Sequence, residues 1–309
     1  MPLQHDPLYK ELIQALFKDF MQFALEDLYQ FIDYQTVKFL DKEIIDVFTD
    51  TERRLDIFAE ATIKNKKEII YIHIEIESSK NQNFPFRMWD YFSQIHRKFK
   101  KPVIPIVLFV DDHQWTRKKI PDHYTVELFG REIMRFNYLL IKPKHFKVED
   151  YLNFDNPFVK ALLVKMDLSK VDAKKIKLGI LRYLSANKKK LGKNGAMVYN
   201  FINIYCKLKP EDEKSLLNLT ENEKEVKQMI LAYKEHWIEK GQIIEKINSH
   251  YDEISLSEKE LVRLNKLLDK KDITEKVYKT LASPIQTKIS KYKKEISLLK
   301  NKQKRLPKD

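Results

Sequence analysis

The chain is poor in glycine and cysteine, and each shortage removes a class of chemistry. Five glycines are scattered through 309 residues, at positions 130, 179, 192, 195 and 241. A phosphate-cradling loop or a dinucleotide fingerprint needs clustered glycines so that backbone amides can approach phosphate, and both are excluded. Cys206 is the sole cysteine, which excludes a disulfide framework, a CxxC redox pair and a cysteine-ligated zinc. Long apolar runs are missing too. The longest, Val103 to Val110, is eight residues with a proline inside, far short of the roughly 20 that a membrane span needs. The opening Met1-Pro2-Leu3-Gln4-His5-Asp6 lacks the basic-then-apolar layout of a signal peptide. The expectation is a cytoplasmic protein with no membrane partner.

What is present points elsewhere. A content of 43% hydrophobic and 12% aromatic residues is ample for a core, and the length suggests about two domains of roughly 150 residues. Acidic charge falls short of basic charge, 45 against 58, giving +13. Such a surplus favours polyanions, because basic side chains on phosphates release condensed counterions. A polyanion is the expected partner. Residues 283–309 hold nine bases against Glu295 and Asp309, a net +7, which leaves +6 for the other 282. Lys291, Lys294 and Lys302 are the candidates there for tracking a DNA backbone. The alternative is a solvated lysine-rich tail.

Periodicity orders the elements. Residues 7–32 read as one amphipathic helix, with Tyr9, Leu12, Leu16, Phe20 and Phe23 on a single face. Strand candidates follow at 36–40, 53–64 and 68–77, the last two joined by a polar turn around Asn65-Lys66-Lys67. Residues 84–99 are helical, and 103–110 is a buried strand. The fold class is α/β: a mixed sheet flanked by helices, then an all-helical C-terminal half. The boundaries read as 1–145, 146–250 (helical) and 251–309 (a basic helical tail). Asn156-Pro157 and Ser283-Pro284 read as N-caps followed by first-turn prolines. Thr220 with Glu223, and Ser257 with Glu260, read as capping boxes. Ile289, Tyr292, Ile296 and Leu299 could form a short coiled seam.

The most informative stretch is Tyr71-Ile72-His73-Ile74-Glu75-Ile76-Glu77. With a period of two, three isoleucines face one way while His73, Glu75 and Glu77 face the other. A two-residue turn at Asn65-Lys66 pairs positions summing to 131, setting Asp56 opposite Glu75 and Arg54 opposite Glu77. A four-residue turn would set Asp56 opposite Glu77 instead. Like charges across strands repel, and a hard divalent cation with oxygen ligands is one relief. The plainer reading is a surface acidic face in which Arg54 pairs Glu77. His73 reads as a supporting or packed histidine rather than a metal ligand.

Carried by these residues, the chain resembles the recombination-promoting nuclease and transposase family within the PD-(D/E)XK nuclease superfamily. The matching pieces are His5-Asp6 with Lys10, Phe39-Leu40-Asp41, Asp56, Glu75-Ile76-Glu77-Ser78, Phe86-Arg87-Met88 with Tyr91, and the run from Pro102 to Leu108. The similarity spans about residues 5–112, and more weakly to about 160. It implies a Mg²⁺-dependent DNA endonuclease, with Mn²⁺ as an alternative ion, in which Asp56 and Glu75 hold the metal. The superfamily pattern has lysine where this chain has Glu77. That residue is left as general base or extra metal ligand, and the lysine's role falls to metal or to a base from elsewhere.

Arg87 either grips phosphate or pairs a site carboxylate, and Tyr91 is either a nucleic-acid contact or core. His5, Asp6, Lys10, Asp41 and His73 are supporting candidates. The rival readings are a catalytically silent nuclease-like DNA-binding protein and a helical assembly protein. The oligomeric state is left open. A DDE-type transposase is disfavoured, because its third acid usually comes from a later helix while these acids cluster on a hairpin.

Overall fold

A computed structural model describes residues 5–40, 43–45, 52–78, 83–111, 120–221 and 223–305. The chain forms two compact units, Met1–Ala186 with Met197–Asn222, and Asn187–Ala196 with Glu223–Asp309. The first unit is built on a five-stranded mixed sheet flanked by helices, and the C-terminal half is helical, as the periodicity predicts.

The expected opening helix is broken. α1 (His5–Ala15) and α2 (Phe17–Ala24) meet at Leu16, whose backbone (φ −113°, ψ 38°) is not helical. Tyr9, Leu12, Leu16 and Phe20 are all buried, so one apolar stripe runs through the break and no glycine or proline marks it. After a 3-10 turn the chain enters β1 (Ile32–Phe39), four residues earlier than expected. The anticipated strand 53–64 is also two pieces. β3 (Glu52–Arg54) pairs with β2 (Glu43–Ile45) in a separate ribbon, and β4 (Ile57–Ile63) joins the main sheet. Asp56 sits in the bend between them.

β4 runs antiparallel to β5 (Ile69–Glu77) in the first of the two registers considered, with Ile57 opposite Ile74 and Thr62 opposite Ile69. The connection is wider than a two-residue turn. Ile63 N–H donates to the Glu68 carbonyl at 2.8 Å, closing a loop over 64–67. Asn65 (φ 66°) and Lys67 (φ 53°) take left-handed conformations in it. β5 is central and buried on both faces, so the acidic face is not a surface. α3 (Phe84–Phe99) covers it, packing Tyr91 and Ile95 against Phe58 and Tyr71. α1 also packs against β5. β6 (Val103–Phe109) and β9 (Leu139–Ile141) continue the sheet in parallel.

A hairpin that periodicity did not announce, β7 (His123–Leu128) and β8 (Arg131–Asn137), precedes β9. Its turn places Phe129 (φ 48°) and Gly130 (φ 71°) in left-handed backbone, with Phe129 94% exposed. A bulky side chain there is strained, whereas Asn-Gly is the favoured pair for such a turn. Phe129→Asn is expected to raise stability by about 1 kcal/mol, read as a higher thermal midpoint. An unchanged or lower midpoint would show that the ring is held by contacts on the hairpin.

Helices α4 (Pro157–Leu162), α5 (Ala173–Ala186), the later part of α7 (Lys193–Tyr205) and α8 (Pro210–Glu221) complete this unit. Asn156 is the N-cap of α4, as expected, with its Oδ1 accepting from Val159 N–H at 3.0 Å. Its amide also donates to the Asp19 carbonyl (2.9 Å) and Gln22 Oε1 (3.1 Å), tying α4 to α2.

The second unit holds α6 (Lys188–Leu191) and two long helices, α9 (Lys224–Asp269) and α10 (Glu275–Arg305). Three terminus signals fail, two in this unit and one, Thr220, in the first. Ser257 lies mid-helix in α9, Thr220 lies near the end of α8, and Pro284 lies inside α10. The long apolar interface overrides the signals at Ser257 and Pro284. Ile243, Ile247 and Ile254 pack with Ile289 and Ile296, and Tyr292 and Leu299 join at the edge, so the expected seam is real.

Candidate active site

The end of the β4–β5 hairpin gathers charge from four elements. Asp56 interrupts the strand ahead of β4, so its own groups do the work of the missing ladder. Its N–H donates to Glu75 Oε1 (3.1 Å), and its Oδ2 accepts from Ile76 N–H (2.8 Å). Lys10 on α1 places Nζ 2.7 Å from Asp56 Oδ1. From the covering helix, Arg87 pairs closely with Glu77 Oε1 and lies 4.0 Å from Glu75 Oε2. His73, wholly buried, meets Glu75 Oε1 at 2.9 Å through Nε2. An ionised carboxylate only accepts, so Nε2 carries the proton. The imidazole and the Tyr91 ring also meet nearly at right angles, 5.4 Å between centroids.

Asp56 has its carboxyl pushed above the ordinary carboxylate range, first by burial and then by the neighbouring Glu75 charge, against the pull of Lys10. Two largely hidden carboxylates repelling one another suit a hard cation, and Mg²⁺ commonly takes one or two carboxylates plus substrate phosphate. The donor set therefore fits Mg²⁺ as a two-carboxylate site. It does not form the expected three-carboxylate cage. Among the described residues no three His, Cys, Asp or Glu side chains are grouped to hold an ion. Glu77 points to Arg87 instead.

Several expectations sort cleanly. Arg87 makes a carboxylate ion pair. Tyr91 is 6% exposed, in a core cluster with Leu55, Phe58, Tyr71 and Ile95. Of the two alternatives this is the core one: α3 turns Tyr91 inward to cover β5. Lys10 matches on the sequence without an assigned role, and nothing local reveals its partner, because Asp56 lies 46 positions away. Asp41, the side chains of His5 and Asp6, and the side chain of Arg54 lie outside the described residues. Lys291, Lys294 and Lys302 lie on α10, in the other unit. Lys302 meets Glu239 at 3.2 Å.

No local pattern announces a second charged pair at the same end of the sheet. Asp111, just past β6, is buried with Lys142, just past β9, in a close ion pair. Lys142 also donates to the Asp111 carbonyl at 2.9 Å.

A family model described as "Putative transposase, YhgA-like" matches residues 3–190. The chain belongs to this family. The match runs from α1 through the acidic hairpin and α3 to the lysines of α6, and α9 and α10 lie beyond it. Membership in a transposase-like family implies interaction with DNA. No curated protein and no solved structure matches the chain significantly. Among the described residues no helix is long and apolar enough to cross a membrane.

Proposed function

We propose that the chain is a Mg²⁺-dependent DNA endonuclease whose metal is held by Asp56 and Glu75. The observation that carries this reading is the juxtaposition of those two carboxylates across the hairpin, locked by the Asp56 N–H to Glu75 contact. A bound Mg²⁺ would polarise the scissile phosphate and lower the pKa of its water. The chain's own residues do the rest. His73 fixes the orientation of Glu75. Lys10 brings positive charge to the Asp56 side, where the superfamily lysine is missing from position 77. Arg87 is a planar donor suited to phosphate oxygens. When it turns toward a phosphate, Glu77 is released to accept a proton from the attacking water.

The test is supercoiled plasmid incubated with purified protein and Mg²⁺, with and without chelator. Nicking or linearisation that the chelator abolishes is expected, and no cleavage across divalent ions overturns the reading. The close Glu77–Arg87 pair and the lack of a three-ligand group among the described residues favour a second reading, a catalytically silent DNA binder. It predicts DNA binding without cleavage.

A readout independent of turnover comes from stability. Asp56 holds its proton more tightly in the folded chain than in the unfolded one. The ion-free fold therefore loses stability as pH rises from the ordinary carboxylate value through the raised one. An ion that offsets the repulsion should then stabilise more at pH 8 than at pH 5. Mg²⁺ is expected to raise the thermal midpoint by a few degrees at pH 8 and by less at pH 5. Asp56→Asn should abolish the shift, and a shift that persists in that variant would place the ion elsewhere.

A further inference from the structure

The formal charge is distributed very unevenly between the two units. Asn187–Ala196 with Glu223–Asp309 carries +11 of the chain's +13, and the larger unit carries only +2. Within the basic unit, α10 is less available than its composition suggests. Lys288 pairs with Glu253 (2.7 Å), Lys293 with Glu258 (3.6 Å) and Lys302 with Glu239 (3.2 Å). Acids of α9 thus pair three of its lysines, while Lys291 and Lys294 stay exposed without an ion pair among the described residues.

Residues 187–196 are different. Lys188, Lys189, Lys190 and Lys193 are all exposed, fall within six positions, and make no ion pair among the described residues. The segment contains no acid. It is also anchored. Leu191 is buried, Gly192 takes φ 49°, and Gly195 packs so closely on the Tyr233 hydroxyl that a methyl group there would collide with it. Four like charges held together on a fixed turn repel one another; the phosphates of a polyanion relieve that repulsion, and release of its condensed counterions adds to the gain.

The segment sits at a definable level of the unit. Gly195 packs against Tyr233, and Lys302 meets Glu239 six residues further along α9, a rise of about 9 Å. The lysine turn and the basic end of α10 therefore lie at one end of this unit.

We propose that Lys188, Lys189, Lys190 and Lys193 form a sequence-independent docking surface for the phosphate backbone of duplex DNA. This inference extends the proposed function to a second DNA contact outside the candidate active site. Lysines act as point charges on phosphate and read no bases. An anionic membrane fits less well, because Leu191 is turned into the core and no other large apolar side chain lies in the segment to enter a bilayer.

The test is fluorescence anisotropy of a labelled random-sequence duplex with the full chain in chelator, so that cleavage plays no part. The variant replaces all four lysines with Gln, and a second variant replaces them with Arg. Each phosphate contact contributes about 0.9 to the slope of log K against log salt. The Gln variant should lower that slope by about 3.6 and weaken binding at least tenfold at about 0.1 M salt, while the Arg variant keeps wild-type behaviour. An unchanged slope in the Gln variant overturns the proposal. So does binding of the wild-type chain to phosphatidylserine vesicles but not to the duplex. Thermal melts confirm that the variants remain folded. Failure of the nuclease reading would be distinguishable, since it would appear as absent cleavage with the salt slope intact.

Discussion

Replacing Asp56 with Asn, or Glu75 with Gln, is expected to cut Mg²⁺-dependent plasmid cleavage by about a thousandfold. The figure corresponds to roughly 4 kcal/mol of lost transition-state stabilisation, a reasonable size for losing one of the two carboxylates proposed to hold the ion. Both replacements keep the shape of the side chain. The amide introduced in Asp56→Asn retains an oxygen for Ile76 N–H. The amide introduced in Glu75→Gln retains one for the contacts with Asp56 N–H and His73 Nε2. The fold should persist, so a loss of cleavage reports chemistry. Glu77→Gln should cost less, about a hundredfold, because it removes the proposed proton acceptor and leaves both proposed metal-holding carboxylates in place. Cleavage that survives in either the Asp56 or the Glu75 variant would move the active site away from this hairpin.

The second large effect concerns stability. Lys142→Met should destabilise the chain by about 3–5 kcal/mol, because it leaves Asp111 as a buried charge without its cation. The Lys142 side chain is 1% exposed and that of Asp111 6%, so water can do little to replace the partner. The double variant Lys142→Met with Asp111→Leu should recover most of the loss, since removing both charges also removes their desolvation. Urea denaturation of the single and double variants reads this directly. A single variant within about 1 kcal/mol of the parent would mean that the pair is solvated in solution. The pair matters for the site through the sheet. Glu77 lies opposite Phe109 in the β5–β6 register, so Asp111 follows just beyond the level of the acidic cluster.

The fold class, the shared face of Asp56 and the β5 acids, and the buried character of β6 were all legible in the chain. Each follows from short-range alternation or an unbroken apolar run, which depends only on neighbours one or two residues apart. The same local logic failed wherever a long interface intervened. Ser257 and Pro284 carry real terminus signals, yet α9 and α10 pass through them because the isoleucine seam between the helices outweighs a cap. Conversely, the α1–α2 break was invisible, because both helices bury the same stripe.

The candidate site divides in the same way. Alternation along β5 and an even-length turn were enough to bring Asp56 and Glu75 to one place, because strand pairing is set by local geometry. Sequence could not show that Lys10 would face Asp56, that Arg87 would take Glu77, or that Tyr91 would turn inward. Those outcomes depend on how α1 and α3 lie against the sheet. Side chains far apart in the chain compete there for the same carboxylates, and packing alone decides which cation reaches which acid.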